Sequence, residues 1–406
     1  MFPDCKIITL TPTGSASGAR WRGILNVALH ARFLLLNVES TQLPPSARVD
    51  VRVLSRLFNH VSTSYKFLFF LALLDACEKR LFSAPVVIPM HELIVDMLVL
   101  TWYPHVYFKL SFGWQDKVAR ELDSMPVSSF DGGGKFAPWD KDKVRARISL
   151  SPGAANLVEY VPYRLIRPFF PQIKTRDDHR INGMVKEAAN EYFAATKPLY
   201  KISADDSMLT MHPDWLAYFH ENLRFVRAWA SWHYLQYMQK INPTVPSLAN
   251  KLFPPAHRES LKEQTDFWNL IASNTDLRCI YSGERILPGA FDVDHFLPWS
   301  FVVHNELWNL VPANAFANSA KSDRLPDERY IDQMVATQRS ALIIARDKLP
   351  EKKWTDNAGI YPLRLNLSGD DWLDSDRFVN AYRELLSGQL TMAYTNGFER
   401  GWSFKE

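Results

Sequence analysis

Phe291-Asp-Val-Asp-His-Phe-Leu-Pro-Trp-Ser-Phe-Val302, followed by Leu307-Trp-Asn-Leu-Val-Pro312 and Asn318-Ser-Ala-Lys-Ser-Asp-Arg-Leu-Pro326, is the stretch that decides the reading of this chain. Period-two alternation at its start predicts a short strand with Asp292 and Asp294 on one face. Pro298 cannot continue a central strand, so this strand ends near His295. Trp308 to Val311 predicts a second short strand, closed by Pro312. Ala313 to Ser322 predicts a helix on which Asn318 and Lys321, three apart, share a face. A carboxylate, an imidazole, an amide oxygen and an ammonium therefore converge on one small strand–strand–helix unit.

That set suits phosphodiester hydrolysis. A hard divalent cation prefers oxygen ligands, which Asp294 and Asn318 supply. Such a cation binds the scissile phosphate and stabilises the leaving oxygen. A neutral His295 can take a proton from water near neutral pH. Lys321 can balance charge that builds on the phosphate.

The segment resembles the HNH endonuclease motif, the ββα-metal nuclease unit. It is similar to the HNH domain of RNA-guided CRISPR effector nucleases in Asp292-Val-Asp-His295, in the following Pro298 and Ser300-Phe301, and in Asn318-x-x-Lys-Ser-Asp323. Cys279-Ile-Tyr-Ser-Gly283 and Leu307-Trp-Asn-Leu-Val-Pro312 also resemble uncharacterised bacterial HNH proteins of defence loci. The resemblance implies that Asp294 and Asn318 hold Mg²⁺ or Mn²⁺ and that His295 is the general base. It further implies that Asn309 fixes the loop between the strands and that Lys321 assists the chemistry. Many such proteins carry CxxC pairs that bind zinc. Here Ser282 stands where a partner of Cys279 would be, so no structural zinc is expected and Cys279 reads as a core thiol.

Around the motif several residues have two readings. His304 lies between the motif strands, either touching DNA or simply exposed. Arg324 meets a phosphate or forms a surface ion pair. Asp292 supports the site or is a hairpin residue. Trp299 and Trp308 read as local core.

Outward from the motif, helical spacing dominates. Helices are predicted over Tyr65 to Arg80, with Ser62, Thr63 or Ser64 as cap, over 91–102, 213–240, 257–273 and 327–347, and over 374–388. In the third of these Trp229, Trp232, Tyr234 and Tyr237 read as core. Ala84 to Ile88 has strand character. Residues 1–20 read as irregular, and Ser124 to Gly134, with three consecutive glycines, reads as a linker. Residues 140–180 hold nine Lys/Arg against five Asp/Glu, with Tyr160, Tyr163, Phe169 and Phe170 interleaved. Within them Lys141, Lys143, Arg145 and Arg147 would line one face of a strand, as a phosphate-contacting edge or a solvated face.

The expected fold is mainly α, α+β overall: a large helical N-terminal region and a C-terminal ββα-metal unit flanked by helices. The expected divisions are 1–135, a basic mixed region 136–205, and a helical nuclease domain 206–406 with its ββα core at 278–326.

Composition sets bounds. The chain has 406 residues, 47% apolar and 22% charged, with a net charge of +3. These values exclude a disordered chain and a globally basic nucleic-acid coat, and leave a local basic groove open. Three scattered cysteines exclude a disulfide framework. Apolar runs are too short to span a bilayer, and Met1-Phe-Pro-Asp-Cys5 is no export signal, so a cytoplasmic protein without membrane partners is expected. Other motifs fail. Gly132-Gly-Gly-Lys135 lacks phosphate-loop spacing, Val95 stands where a second zinc histidine would follow His91-Glu92, and His212-Pro-Asp214 is a helix start.

The reading is a metal-dependent DNA endonuclease, with phage defence or restriction implied by the resemblance. DNA is the expected partner, with a homodimer or a partner subunit of a defence system beside it; double-strand cleavage would need a dimer or two successive nicks. A non-catalytic nucleic-acid-binding or adaptor subunit is the alternative, and an RNase or unspecific nuclease a third.

Overall fold

The computed structural model describes residues 43–125, 141–174, 177–253, 258–369, 372–373 and 376–405. The predicted irregular segment 1–20 and nearly all of the glycine-rich linker lie outside the described residues.

Two hydrophobic cores organise the molecule. The first is built around three helices: α1 (Tyr65–Lys79), α2 (Met90–Trp102) and α5 (Pro213–Ile241). α1 buries Phe67 through Leu74 without a break, because it is covered on all sides. Its start is tied down differently from an ordinary cap: Ser64 donates through its hydroxyl and its amide to Asp116 Oδ2, at 2.5 and 2.9 Å. In α5, Trp229 and Tyr234 are buried as expected and Tyr237 is half-buried, but Trp232 is 49% exposed. A helix this long keeps one face in solvent. A small antiparallel sheet of order β1-β3-β2 covers this core: β1 (Val87–Pro89), β2 (Tyr200–Ile202) and β3 (Met208–Met211).

Residues 141–147 form a short helix, α3 (Lys141–Arg147), and not a strand. Val144 is its buried position. Lys141 pairs with Asp75 at 3.2 Å, and Arg145 pairs with Asp96, which is buried and also holds Lys79 at 3.1 Å. Arg145 is thus part of an internal ion-pair network. Further along, α4 (Val161–Ile166) leads into the turn Arg167–Phe169.

The second core gathers residues from Phe267 to Trp402. α7 (Lys262–Ala272), a two-stranded hairpin of β4 (Asp292–His295) and β5 (Leu310–Ala313), α9 (Ala315–Lys321), α10 (Ile331–Lys348) and α11 (Asp376–Thr395) build it. The register pairs Asp292 with Ala313 and Asp294 with Val311. Pro312 does not close the second strand; it sits inside β5 opposite Val293. A two-stranded hairpin leaves each strand a free edge, where a missing N–H is tolerated. Trp308 belongs to the turn Leu307–Asn309 just before β5.

Packing places α5 and the short α6 (Leu248–Leu252) with the first core. The cores meet at the segment between the hairpin strands, which includes α8 (Trp299–Val302). Trp299 and Val303 enter the first core, Trp299 lying 6.2 Å from the ring of Phe108. Lys251, fully buried, donates to Phe301 O at 2.6 Å. Burial alone pushes its ammonium down to about 7. Among the described residues no helix is long and apolar enough to cross a membrane.

Candidate active site

The hairpin and α9 face each other. Asn314 caps the helix by accepting from the amides of Phe316 and Ala317, at 2.8 and 3.3 Å. The chain leaves the helix at Ser322, whose φ is 52°. Between these ends Asn318 and Lys321 look back onto β4. Asn318 Nδ2 donates to Asp292 Oδ2 at 3.1 Å. Lys321 Nζ donates to Asp294 Oδ1 at 3.0 Å and to the carbonyl of His295 at 2.7 Å. The carboxylate's other oxygen accepts from Tyr281 Oη at 2.6 Å.

Lys321 is 0% exposed and Asp294 4%. This changes the expected place of Lys321. Its ammonium is sealed behind the strand, because it satisfies a buried carboxylate and a buried carbonyl, and it does not face the solvent where a phosphate would arrive. Burial pushes the Asp294 carboxyl above its ordinary value; Lys321 and Tyr281 recover part of that, and Asp292 adds to it. Burial also pushes the Tyr281 phenol well up, so it stays a neutral donor.

His295 is largely buried, its Nε2 lying 3.0 Å from Asn305 Oδ1. With that oxygen as acceptor, Nε2 carries the proton and Nδ1 keeps its lone pair. Burial pushes the imidazole down to about 3, against the pull of Asn305, with Arg258, Lys321 and His304 adding to the fall. The ring is neutral at physiological pH.

Asn309, fully buried, staples the segment that follows the histidine. Its Oδ1 accepts from Leu297 N and its Nδ2 donates to Leu297 O, both at 2.9 Å. Its own carbonyl accepts from Phe296 N at 2.8 Å. From behind, Gln338 of α10 donates to the carbonyls of Leu307 and Leu310, at 3.1 and 2.6 Å, and accepts from Tyr361 Oη at 2.5 Å. The C-terminal segment straps the far end: Asp327 N donates to Trp402 O and Trp402 N to Leu325 O.

These distances describe a carboxylate, a neutral imidazole and an amide gathered on one hairpin and helix. Residues 279–327 match the HNH endonuclease family. They form an HNH domain. Comparison with curated proteins and with solved structures gave no match. An HNH domain points to nuclease chemistry on nucleic acid.

Of the residues singled out from sequence, Asp294, His295, Asn309, Asn318 and Lys321 come together in the HNH domain. Lys143, Arg145 and Arg147 lie elsewhere, on α3. The Arg324 guanidinium donates to the carbonyls of Lys321 and Ala320, capping α9, and lies 6.0 Å from the ring of Trp402. His304 is half-buried, accepts through Nδ1 from Glu306 N at 3.2 Å and packs against Trp308. Asp292 holds Asn318 at the exposed edge. Tyr281, Asn305 and Gln338 were not singled out. Tyr281 sits in the quoted Cys279-Ile-Tyr-Ser segment, but no local pattern aims it at Asp294; Asn305 and Gln338 carry no local signal at all.

The donor set fits a hard divalent cation. Asn318 uses its Nδ2 on Asp292, and its Oδ1 takes no hydrogen bond among the described residues. Each carboxylate oxygen of Asp294 has a lone pair beyond the one it uses. Among the described residues no group of three His, Cys, Asp or Glu is placed to hold a metal. Cys279 is buried, its sulfur accepting from Asn314 N at 3.4 Å.

Proposed function

We propose that the chain is a divalent-metal-dependent DNA endonuclease that hydrolyses phosphodiester bonds at the HNH site. The observation that carries this reading is the buried, neutral His295 ring held by Asn305 beside Asp294, inside the segment that matches an endonuclease family. Asp294 and Asn318 would hold Mg²⁺ or Mn²⁺, which when bound supplies charge stabilisation to the scissile phosphate and the leaving oxygen.

The chain's own residues do the rest. Nδ1 of His295 takes the proton of the attacking water, and Asn305 keeps the ring in the tautomer that can do so. The phosphodiester's negative charge raises the basicity of the ring above its ligand-free value. Lys321 and Tyr281 position Asp294 from both sides. Asn309 holds Phe296 and Leu297, so the backbone leaving His295 has one path. One such site cuts one strand, so a double-strand break takes a second copy, a partner subunit or a second nick. The resemblance to HNH proteins of defence loci supports a setting in restriction or phage defence, in the cytoplasm.

The test is nicking of supercoiled plasmid with Mg²⁺ or Mn²⁺, by wild type and His295→Ala. Nicked product that EDTA abolishes and that falls by about 10²-fold or more in His295→Ala is the expected outcome. Folded wild type that binds DNA yet leaves plasmid and single-stranded DNA intact with both metals would sink the enzyme reading in favour of a binding subunit.

A further inference from the structure

Far along the chain from the HNH segment, the first core carries a cavity of about 820 Å³. One wall is the turn that runs from Arg56 into the start of α1; the other is α4 and the segment from Arg167 to Lys174. Arg56, His60, Lys66, Arg164, Arg167 and Lys174 line it, and among the described residues no Asp or Glu does. Ion pairs are abundant elsewhere among the described residues, so a described lining that holds cations and no carboxylate is not the general state of the surface.

The cations are held in place. Lys66 Nζ donates to the carbonyls of Leu57 and His60, at 3.2 and 3.1 Å. Arg164 Nε donates to Asn182 Oδ1 at 3.1 Å, and its guanidinium lies 6.0 Å from the ring of Tyr160. Lys66 and Arg167 form no ion pair among the described residues. Burial, with Arg164 and Arg167 adding to it, pushes the Lys66 ammonium down to about 8. The fold thus maintains like charges in a partly desolvated space, a cost that an anion placed among them would offset. Apolar surface lies beside the charge: the rings of Tyr65, Tyr160 and Phe170 also line the cavity.

We propose that this cavity is a binding site for a free nucleotide, its phosphates taken by Lys66 and Arg167 and its base by the aromatic wall. Three points select that class. The volume lies within the roughly 300–1,000 Å³ typical of small-molecule sites and exceeds what inorganic phosphate fills. Guanidinium groups grip phosphate by paired, charge-assisted hydrogen bonds. Aromatic faces accept any base by stacking. The inference is independent of the nuclease reading, because neither the residues nor the measurement involve the HNH site.

Isothermal titration calorimetry of the full chain tests it, with ATP, GTP, CTP, UTP, inorganic phosphate and a short single-stranded DNA as titrants. At least one nucleotide should bind, more tightly than phosphate. Arg167→Gln should weaken it by about tenfold or more, as loss of a charge-assisted contact does. His295→Ala should leave it unchanged. A rise in the unfolding midpoint with the same nucleotide should accompany binding. If Arg167→Gln fails to fold, the exposed Lys174→Gln serves in its place, with weakened binding again expected. Equal affinities in wild type and variant would overturn the proposal. So would silence from all four nucleotides, phosphate binding as tight as nucleotide, or binding confined to the DNA strand.

Discussion

Replacing Lys321 by methionine removes one partner of a buried ion pair and keeps the volume. The ammonium lies 3.0 Å from Asp294 Oδ1, with the two side chains 1% and 4% exposed. At that distance the attraction is about 5.5 kcal/mol for an effective dielectric near 20. The variant also deprives the His295 carbonyl of its 2.7 Å donor. Breaking a buried pair from one side costs about 3–5 kcal/mol, because the other charge is stranded. Tyr281 still donates to the carboxyl, which places the expected loss for Lys321→Met in that range rather than above it. Removing the carboxylate as well, in Lys321→Met/Asp294→Leu, should return most of it, since a buried pair exchanged for apolar groups is often neutral or better. Urea unfolding at pH 7, followed by the fluorescence of Trp268 and Trp308 in the second core, reads both variants. A Lys321→Met protein within about 0.5 kcal/mol of wild type, the scale of an ordinary surface change, would refute the clamp. So would a double variant no more stable than the single one, because the stranded carboxylate would then not be the source of the loss.

Three further outcomes follow from the same geometry. Asn309→Ala leaves the buried N–H and C=O of Leu297 without partners, each worth about 1–3 kcal/mol, so urea melts should show a loss of about 2–6 kcal/mol. Asn305→Leu removes the acceptor that fixes the His295 tautomer; plasmid nicking should fall by roughly tenfold or more, a fraction of the ~10²–10⁴ a positioned base supplies, while the unfolding midpoint stays near wild type. For Lys251 the folded value of about 7 lies below the ordinary 10.5 of a lysine. The unfolded chain therefore binds more protons between these values, and this group makes stability rise as pH goes from about 7 towards 10.5. The stability difference between wild type and Lys251→Met, measured across that window, should shift in favour of wild type as pH rises; a flat difference would mean the ammonium is not desolvated at Phe301.

What could be read from sequence was what depends on near neighbours. The alternation at Asp292-Val-Asp-His and the three-residue spacing of Asn318 and Lys321 are local periods, and they place the right groups on facing surfaces of hairpin and helix. The alternating cations of Lys141 to Arg147 misled because charge does not set the period; burial of apolar positions does, and here Val144 alone turns inward from a helix. Tyr281 and Gln338 reach the hairpin across 13 and 28 residues of chain, brought there by packing that no window of sequence contains. Depth was the harder quantity. A shared helix face states which way Lys321 points, and an exposed ammonium beside a phosphate is one consequence of that direction. The other consequence depends on where the facing carboxylate lies. Because Tyr281 holds Asp294 from the far side and the carboxylate is only 4% exposed, the Lys321 ammonium packs against it. The same face that would present a charge to the substrate instead locks the strand from which His295 projects.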